Sequence, residues 1–410
     1  MRVLRAFGIA IGALVILAVG LYGPATLLAP LPNATMAERD VTESTDGTPP
    51  ALPDAGASAI AESAEGPVIA RAGESEPVPM AGIAKVVTAL VVLDAHPMSA
   101  DEEGETVPIT SRDFLRYNDY RDAGARVVTV YTDDTWSQRA MLQAVLLGSS
   151  NNHADTLAAW AFGSVDAYVN EAAKWLAQHE LTDTTVVDAT GLSPDDVSTA
   201  SDLSRLAALA MANPVIPTVL EQDVSGIAEV RGVENTTSYM AERNVTGISR
   251  SFTTQAGICL LFAATVPVDD TTYTFYGAMV RMPDWDSLDA SMSALMDSAE
   301  KGVHTGPVLP EGTPVATFTT PWGATADGVI GSSAAVTRWV GASPVVHVTT
   351  NGFALATEGD IVATASVSEG ASTSDIPVKI DKTVHAPDVL WRLSHPIELI
   401  PAFVDQIFGG

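Results

Sequence analysis

"PVPMAGIAKVVTALVVLD", residues 77–94, is the stretch that decides how this chain is read. Val86, Val87, Ala89, Leu90, Val91, Val92 and Leu93 put apolar side chains on every side of a helix. A helix that is apolar all round is buried in a core, not laid on a surface. Lys85 stands in its first turn, and a buried lysine must be solvated, paired or given work to do. Three residues earlier, on the same helix face, sits Gly82, which offers no side-chain atom. The spacing sets one question: is this an active site without its reacting atom, or an ordinary helix start?

The surrounding texture predicts an α/β (α+β) domain over 57–305, with a central antiparallel sheet and a helical cluster. "ASAIAES" and "GPVIARA" alternate and are split by a turn-like "AEG", which predicts a hairpin. Residues 137–213 contain four segments with apolar spacing of three and four, the helix period, with Asp166 and Ser201 as caps near two of the starts. "RNVTGIS", "AGICLLFAATV" and "TYTFYGAMVRM" read as adjacent strands, and "WDSLDASMSALMDSAEKG" as a helix packed back on them. From 306 to 395 the strands are short, Thr/Val-rich and split by glycine turns, which predicts a small all-β domain followed by a tail over 396–410.

The N-terminal end has a different character. Arg2 and Arg5 precede the apolar run 6–22, with no acidic residue before Glu38. That run approaches the ~20 residues that span a bilayer. Residues 1–31 are therefore expected to form a membrane anchor with the rest of the chain outside the cytoplasm; a cleaved signal peptide, giving a secreted protein, is the alternative. Residues 32–56, polar and Pro/Gly-punctuated, read as a flexible linker. The net charge of −29 argues against nucleic acid as a partner. The single cysteine, Cys259, lies in an apolar run and reads as a core residue.

Three short signals occur in order: G82-I-A-K85 at a helix start, S150-N-N152 in "LLGSSNNHADTLA" between helices, and V245-T-G247 in "RNVTGIS" on a strand. With their flanks, including "VVDATGLSPDDVSTASDL", they resemble the serine D-Ala-D-Ala carboxypeptidases, the low-molecular-mass penicillin-binding proteins. That family carries S-x-x-K, S-x-N and K-T-G in this order. The resemblance covers about 57–395 and implies a penicillin-binding-protein-like fold, no cofactor and a peptidoglycan stem peptide or cell-wall protein as partner. It implies a catalytic set of Lys85, Ser150 and Asn152, and a substrate-binding set of Thr246, Gly247 and Ile248. Two backbone N–H groups, by analogy those of Gly82 and Ile248, would form an oxyanion hole.

The departures carry the functional expectation. Gly82 stands where the family has its nucleophilic serine, and Val245 where K-T-G has its lysine. Loss of such a nucleophile costs about 10⁶ in kcat in serine hydrolases. The expectation is therefore a binding or scaffold protein on a carboxypeptidase fold. The alternative is a residual or altered carboxypeptidase in which Lys85 activates Ser150. Arg243, two positions before Val245, shares its strand face and is a candidate for the lost cation. His153 has no second histidine or cysteine at ligand spacing, so no metal is expected.

Overall fold

The computed structural model describes residues 11–12, 15–16, 20, 22–41, 47–66, 68–221, 223–339, 345–369 and 372–408. The chain divides into two compact units. One takes in residues 45–305 with 337–342; the other takes in the chain before residue 45, 306–336 and 343–410.

The first unit is an α/β body, as the sequence predicts. It begins with the expected hairpin, β1 (Ala57–Ala61) and β2 (Val68–Gly73). A single 3-10 turn, Ala81–Ile83, leads into α1 (Ala84–Ala95). There follow α2 (Ser111–Asp122), α3 (Gln138–Leu146), α4 (Asn151–Phe162), α5 (Val165–Gln178) and α6 (Ala200–Ala212). Three long strands, β3 (Val245–Thr253), β4 (Gly257–Val268) and β5 (Thr271–Met282), precede α7 (Trp285–Gly302). The strands form one antiparallel sheet in the order β2-β1-β5-β4-β3.

Strand periodicity sorts the sheet's two faces. On β4, Cys259, Leu261 and Ala263 face the helical cluster, while Ile258, Leu260, Phe262 and Ala264 face α7. Helix α7 answers with Leu288, Met292, Leu295, Met296 and Ala299. On the opposite face α1 is enclosed: every residue from Ala84 to Leu93 is buried. The caps of α5 and α6 differ from expectation. Ser164 and Thr199 cap them, accepting from Ala167 N and Asp202 N, whereas Asp166 and Ser201 lie within the first turns. In each case the residue nearer the chain start has the extended backbone that lets its hydroxyl fold onto the helix.

The second unit holds an antiparallel sheet of six strands. Their order is Thr35–Glu38, Pro314–Thr319, Thr325–Ile330, Ser372–Ile380, Ile361–Glu369 and Val345–Thr350. The first of these corrects the expectation of a flexible linker over 32–56. Thr35–Glu38 pairs with Phe318 and its neighbours, Met36 packs against the sheet's core, and Glu38 accepts from Val348 N at 2.8 Å. A four-residue edge strand with one apolar contact leaves almost no periodic signal. The tail is helical over Pro396–Phe408. Arg392 donates to the carbonyls of Leu27 and Ala29 (3.0 and 3.1 Å), at the end of the short helix Gly23–Leu27. Among the described residues no helix is long and apolar enough to cross a membrane. Most of the anchor expected over 1–31 lies outside the described residues.

Candidate functional site

Lys85 is delivered to the site by the buried start of α1. It is 4 % exposed, and its Nζ donates to the Thr190 carbonyl at 2.6 Å. Burial pulls its pKa down to about 8, against the attraction of Asp188. The turn that offers Thr190 is organised by the Asp188 carboxylate. Its Oδ1 accepts from Thr190 N, Thr190 Oγ1 and Gly191 N (2.6, 2.8 and 2.7 Å), and its Oδ2 from Ser193 N (3.0 Å). Burial works to raise the Asp188 pKa, but these donors hold it below the usual carboxylate range. The same turn locks against the helix start: a Cβ at Gly191 (φ +76°) would lie 1.8 Å from the Ala81 carbonyl oxygen. The flank "DATGL" (188–192) is thus what seats Lys85.

The inter-helix loop places a different pair at the site from the one expected. Ser150 is the N-cap of α4 and is fully buried. Its Oγ bonds Asn152 Oδ1 (2.8 Å) and His153 Nδ1 (2.9 Å) and accepts from Val128 N (3.2 Å). Asn152, 1 % exposed, pairs with both backbone groups of Val128. Neither lines the cleft around Lys85. Ser149 and Asn151 do. Ser149 has φ +50°, which swings the chain so that alternate residues of S-S-N-N face opposite ways. The S-x-N pattern therefore reads S149-x-N151. The Ser150–His153 contact looks like a nucleophile and base, but both are sealed in the core. Burial pushes the His153 pKa down to about 3, so its ring stays neutral.

The strand motif shifts as well. Val245 is 2 % exposed in the core beneath α7, and Ile248 is fully buried on the other face. Gly247 is required by a close approach: a Cβ there would lie 2.0 Å from the Thr237 carbonyl oxygen. None of residues 245–248 lines the large cleft. Arg243 lies on a 3-10 turn before β3 and is ion-paired with Asp297 (2.6 Å) and Glu300 (3.3 Å), so it does not replace a lost cation at the site. The residues that face α1 are four positions further on. A Cβ built on Gly82 would stand 3.0 Å from Ser251 Cβ, 3.3 Å from Ser251 Oγ and 3.5 Å from Ser149 Oγ.

That approach fixes the register. A side chain at position 82 would crowd Ser251, and a glycine opposite it, as at the third place of K-T-G, would relieve that crowding. Position 251 is that place, so Ser249-Arg250-Ser251 occupies the motif. On this register the motif begins at Ser249, and Phe252, which also lines the cleft, follows it. Counting back from the hairpin turn at residues 254–256 could have found this in the sequence.

Lys85, Arg126, Ser149, Asn151, Arg250 and Ser251 line one open cleft of about 700 Å³, together with Phe252 and Trp285. None of its lining residues carries a carboxylate. Arg250 lies over the Trp285 ring (4.4 Å to its centroid) and near that of Tyr239 (5.5 Å).

Comparison with known proteins identifies the family. The model of the family described as D-alanyl-D-alanine carboxypeptidase matches residues 44–270. The D-alanyl-D-alanine endopeptidase of Pseudomonas aeruginosa is 29% identical over 221 residues, which cover 50% of this chain and 67% of that protein. The D-alanyl-D-alanine endopeptidase of Escherichia coli is 29% identical over 198 residues, 46% of this chain and 60% of that one. The match thus spans about two thirds or less of these relatives' length. Among solved structures, penicillin binding protein 6B from Escherichia coli superposes with a TM-score of 0.59 at 16% identity, covering 83% of this chain and 98% of that one. The D-alanyl-D-alanine carboxypeptidase DacD from Francisella tularensis gives 0.57 at 15%, covering 86% and 98%. The family match covers more than half of the sequence, and the chain belongs to the D-alanyl-D-alanine carboxypeptidase family.

Proposed function

We propose that this member of the D-alanyl-D-alanine carboxypeptidase family binds the carboxyl-terminal end of a peptidoglycan stem peptide, outside the cytoplasm, and forms no acyl-enzyme through position 82. The observation that carries this reading is the lining of the cleft. In a chain with 50 acidic and 21 basic residues, it gathers Lys85, Arg126 and Arg250 and excludes every carboxylate. A cleft of one sign draws in a ligand of the other. Gly82 leaves the helix start without an oxygen to attack with. The extracytoplasmic placement is supported by Arg2, Arg5 and the apolar run that follows them.

A second reading, hydrolysis of D-alanyl peptides by an altered route, draws on one observation: Lys85 keeps the lowered pKa of a general base, and two hydroxyls, Ser149 and Ser251, stand near it in the cleft. One measurement separates the two. The soluble part of the chain, incubated with a β-lactam, keeps its intact mass if the binding reading holds, and co-sediments with purified peptidoglycan. A stable mass increase equal to the β-lactam would favour the second reading.

A further inference from the structure

A second pocket, of about 340 Å³, shares no residue with the Lys85 cleft. It lies at the other end of α1, where the carboxyl ends of three helices border one space. Leu93 and Asp94 line it from the last turn of α1, Trp175 from the last turn of α5, and Leu209 and Ala212 from the last turn of α6. Its volume is at the lower end of small-molecule sites, about 300–1,000 Å³. The walls are mostly apolar, with Leu90, Met98 and Val215 completing them. The Trp175 ring is held by His179, their centroids 4.2 Å apart.

The charge of this pocket has one sign. A helix carries the negative pole of its dipole at its carboxyl end, and its last carbonyls have no partner within the helix. Lysine or arginine in the last turn ordinarily offsets both. None of α1, α5 and α6 has one there. Pro97 and Pro214 directly follow the cap residues of α1 and α6 and have no N–H to continue the bonding. Asp94 adds a carboxylate to the end of α1 that disfavours an anion. No lysine or arginine lines the pocket. We propose that it binds a small organic cation, an ammonium group carried on an apolar body. The body fills the space against Trp175 and Met98, and the ammonium sits at Asp94 and the helix ends. A lysine stem is a thin chain of four methylenes and would leave much of 340 Å³ empty. The occupant is therefore a free amine with a bulkier body, and not a partner protein's side chain. This site is independent of the stem-peptide reading.

The probe is phenethylamine, with phenethyl alcohol and phenylacetate as its neutral and anionic counterparts and acetyl-lysine methylamide as a model of a partner's side chain. The full chain, labelled with ¹⁵N-tryptophan, is titrated at pH 8 and read by NMR through two indole N–H signals. Trp175 reports on the pocket and Trp285 on the cleft, each assigned by its loss in the Trp→Phe variant. Phenethylamine should move the Trp175 signal, leave Trp285 unmoved, and bind at least about fivefold tighter than the alcohol, the scale of a charge at a helix end. Phenylacetate should bind more weakly than the alcohol. Asp94→Lys should remove the preference for the amine. Ala212→Trp fills the pocket from an exposed position on its wall and should abolish the shift. Thermal melts confirm that both variants are folded. The proposal is overturned if Trp175 does not respond, if the alcohol binds as tightly as the amine, or if the preference survives Asp94→Lys. A shift that persists in Ala212→Trp overturns it as well. Tighter binding of the blocked lysine than of phenethylamine would give the pocket to a partner's side chain and overturn the free amine as its occupant.

Discussion

Gly82 and Ser251 face each other at close range: a Cβ on Gly82 would stand 3.0 Å from Ser251 Cβ. That is tighter than nearly all packed carbon contacts, so a side chain at 82 requires a shift of a few tenths of an ångström, and neither partner is the end of a flexible chain. Position 82 is set by the 3-10 turn into α1 and position 251 by the β3–β4 ladder. The two positions are therefore coupled. Gly82→Ser alone should destabilise the fold by about 1–3 kcal/mol through overpacking. Ser251→Gly should relieve most of that, so a double-mutant cycle in urea should return a coupling of about 1–2 kcal/mol. Additive effects would show that the backbones move apart easily. The same pair makes the route back to acylation specific. Gly82→Ser with Ser251→Gly and Ser249→Lys should gain a β-lactam adduct by intact mass, whereas Gly82→Ser with Val245→Lys should not, because Val245 lies in the core.

Lys85 gives the site a pH signature. Its pKa falls from 10.5 in the open chain to about 8 when buried. Between those values the unfolded chain holds a proton that the folded chain has released, so this group makes stability rise with pH from about 8 to 10.5. Below about 8 both states carry the proton, and the burial cost is fully present. Lys85→Met should remove this dependence. Subtracting its stability from that of the wild type should leave a difference that climbs by about 3 kcal/mol over the window, with the other groups cancelling. A flat difference would mean that Lys85 is solvated in the cleft.

How far the sequence discloses this site depends on what each residue answers to. The α1 segment is legible because its burial repeats along the whole helix, and the β4 strand because burial on both faces makes it one continuous apolar run. The exact site positions are less so. "SSNN" contains the S-x-N spacing twice, and the choice between S149-x-N151 and S150-x-N152 is made by a single left-handed residue, Ser149. V245-T-G247 keeps two letters of K-T-G, but its glycine serves the Thr237 carbonyl instead of the cleft. The true motif position, Ser249-Arg250-Ser251, retains no letter of the pattern and is visible only through its distance from Gly82. The loop misreading is one step, which reverses the face a residue takes; the strand misreading is a shift of four positions, across the irregularity between Gly247 and Ser249.

Asp196 adds a second pH effect, of opposite sign. Burial and the neighbouring Asp188 push its pKa up to about 7. Its Oδ1 accepts from Val187 N at 2.7 Å and Asp188 N at 3.3 Å, while Oδ2 is buried without a partner. A carboxyl with a raised folded pKa contributes stability that is fully present below its unfolded pKa and is lost as pH rises through the folded one. The loss therefore falls between about pH 4 and pH 7. Asp196→Asn keeps the accepting oxygen and cannot ionise. It should match the wild type at pH 4 and be more stable at pH 8, by about 1–2 kcal/mol, in paired denaturant curves. A variant less stable at pH 8 than the wild type would show that the ionised carboxylate is the favoured form.

The turn that seats Lys85 separates two meanings of a glycine. Gly163 and Gly191 both have positive φ, +84° and +76°. A Cβ on Gly163 would meet nothing within 4 Å, whereas one on Gly191 would lie 1.8 Å from the Ala81 carbonyl oxygen and 2.5 Å from its carbon. Gly163→Ala bears only the backbone term, about 1 kcal/mol. Gly191→Ala must in addition push the 188–193 turn away from the start of α1. That movement takes the Thr190 carbonyl from Lys85 Nζ and leaves a buried ammonium without its acceptor. The expected cost is about 3 kcal/mol or more. Lys85→Met should blunt it, since no ammonium is then stranded. The measurement is the difference between Gly191→Ala in the wild-type and in the Lys85→Met background, with Gly163→Ala as the control in each. If the cost at position 191 is the same in both backgrounds, the turn and the lysine are independent, and the contact at Ala81 alone accounts for the glycine.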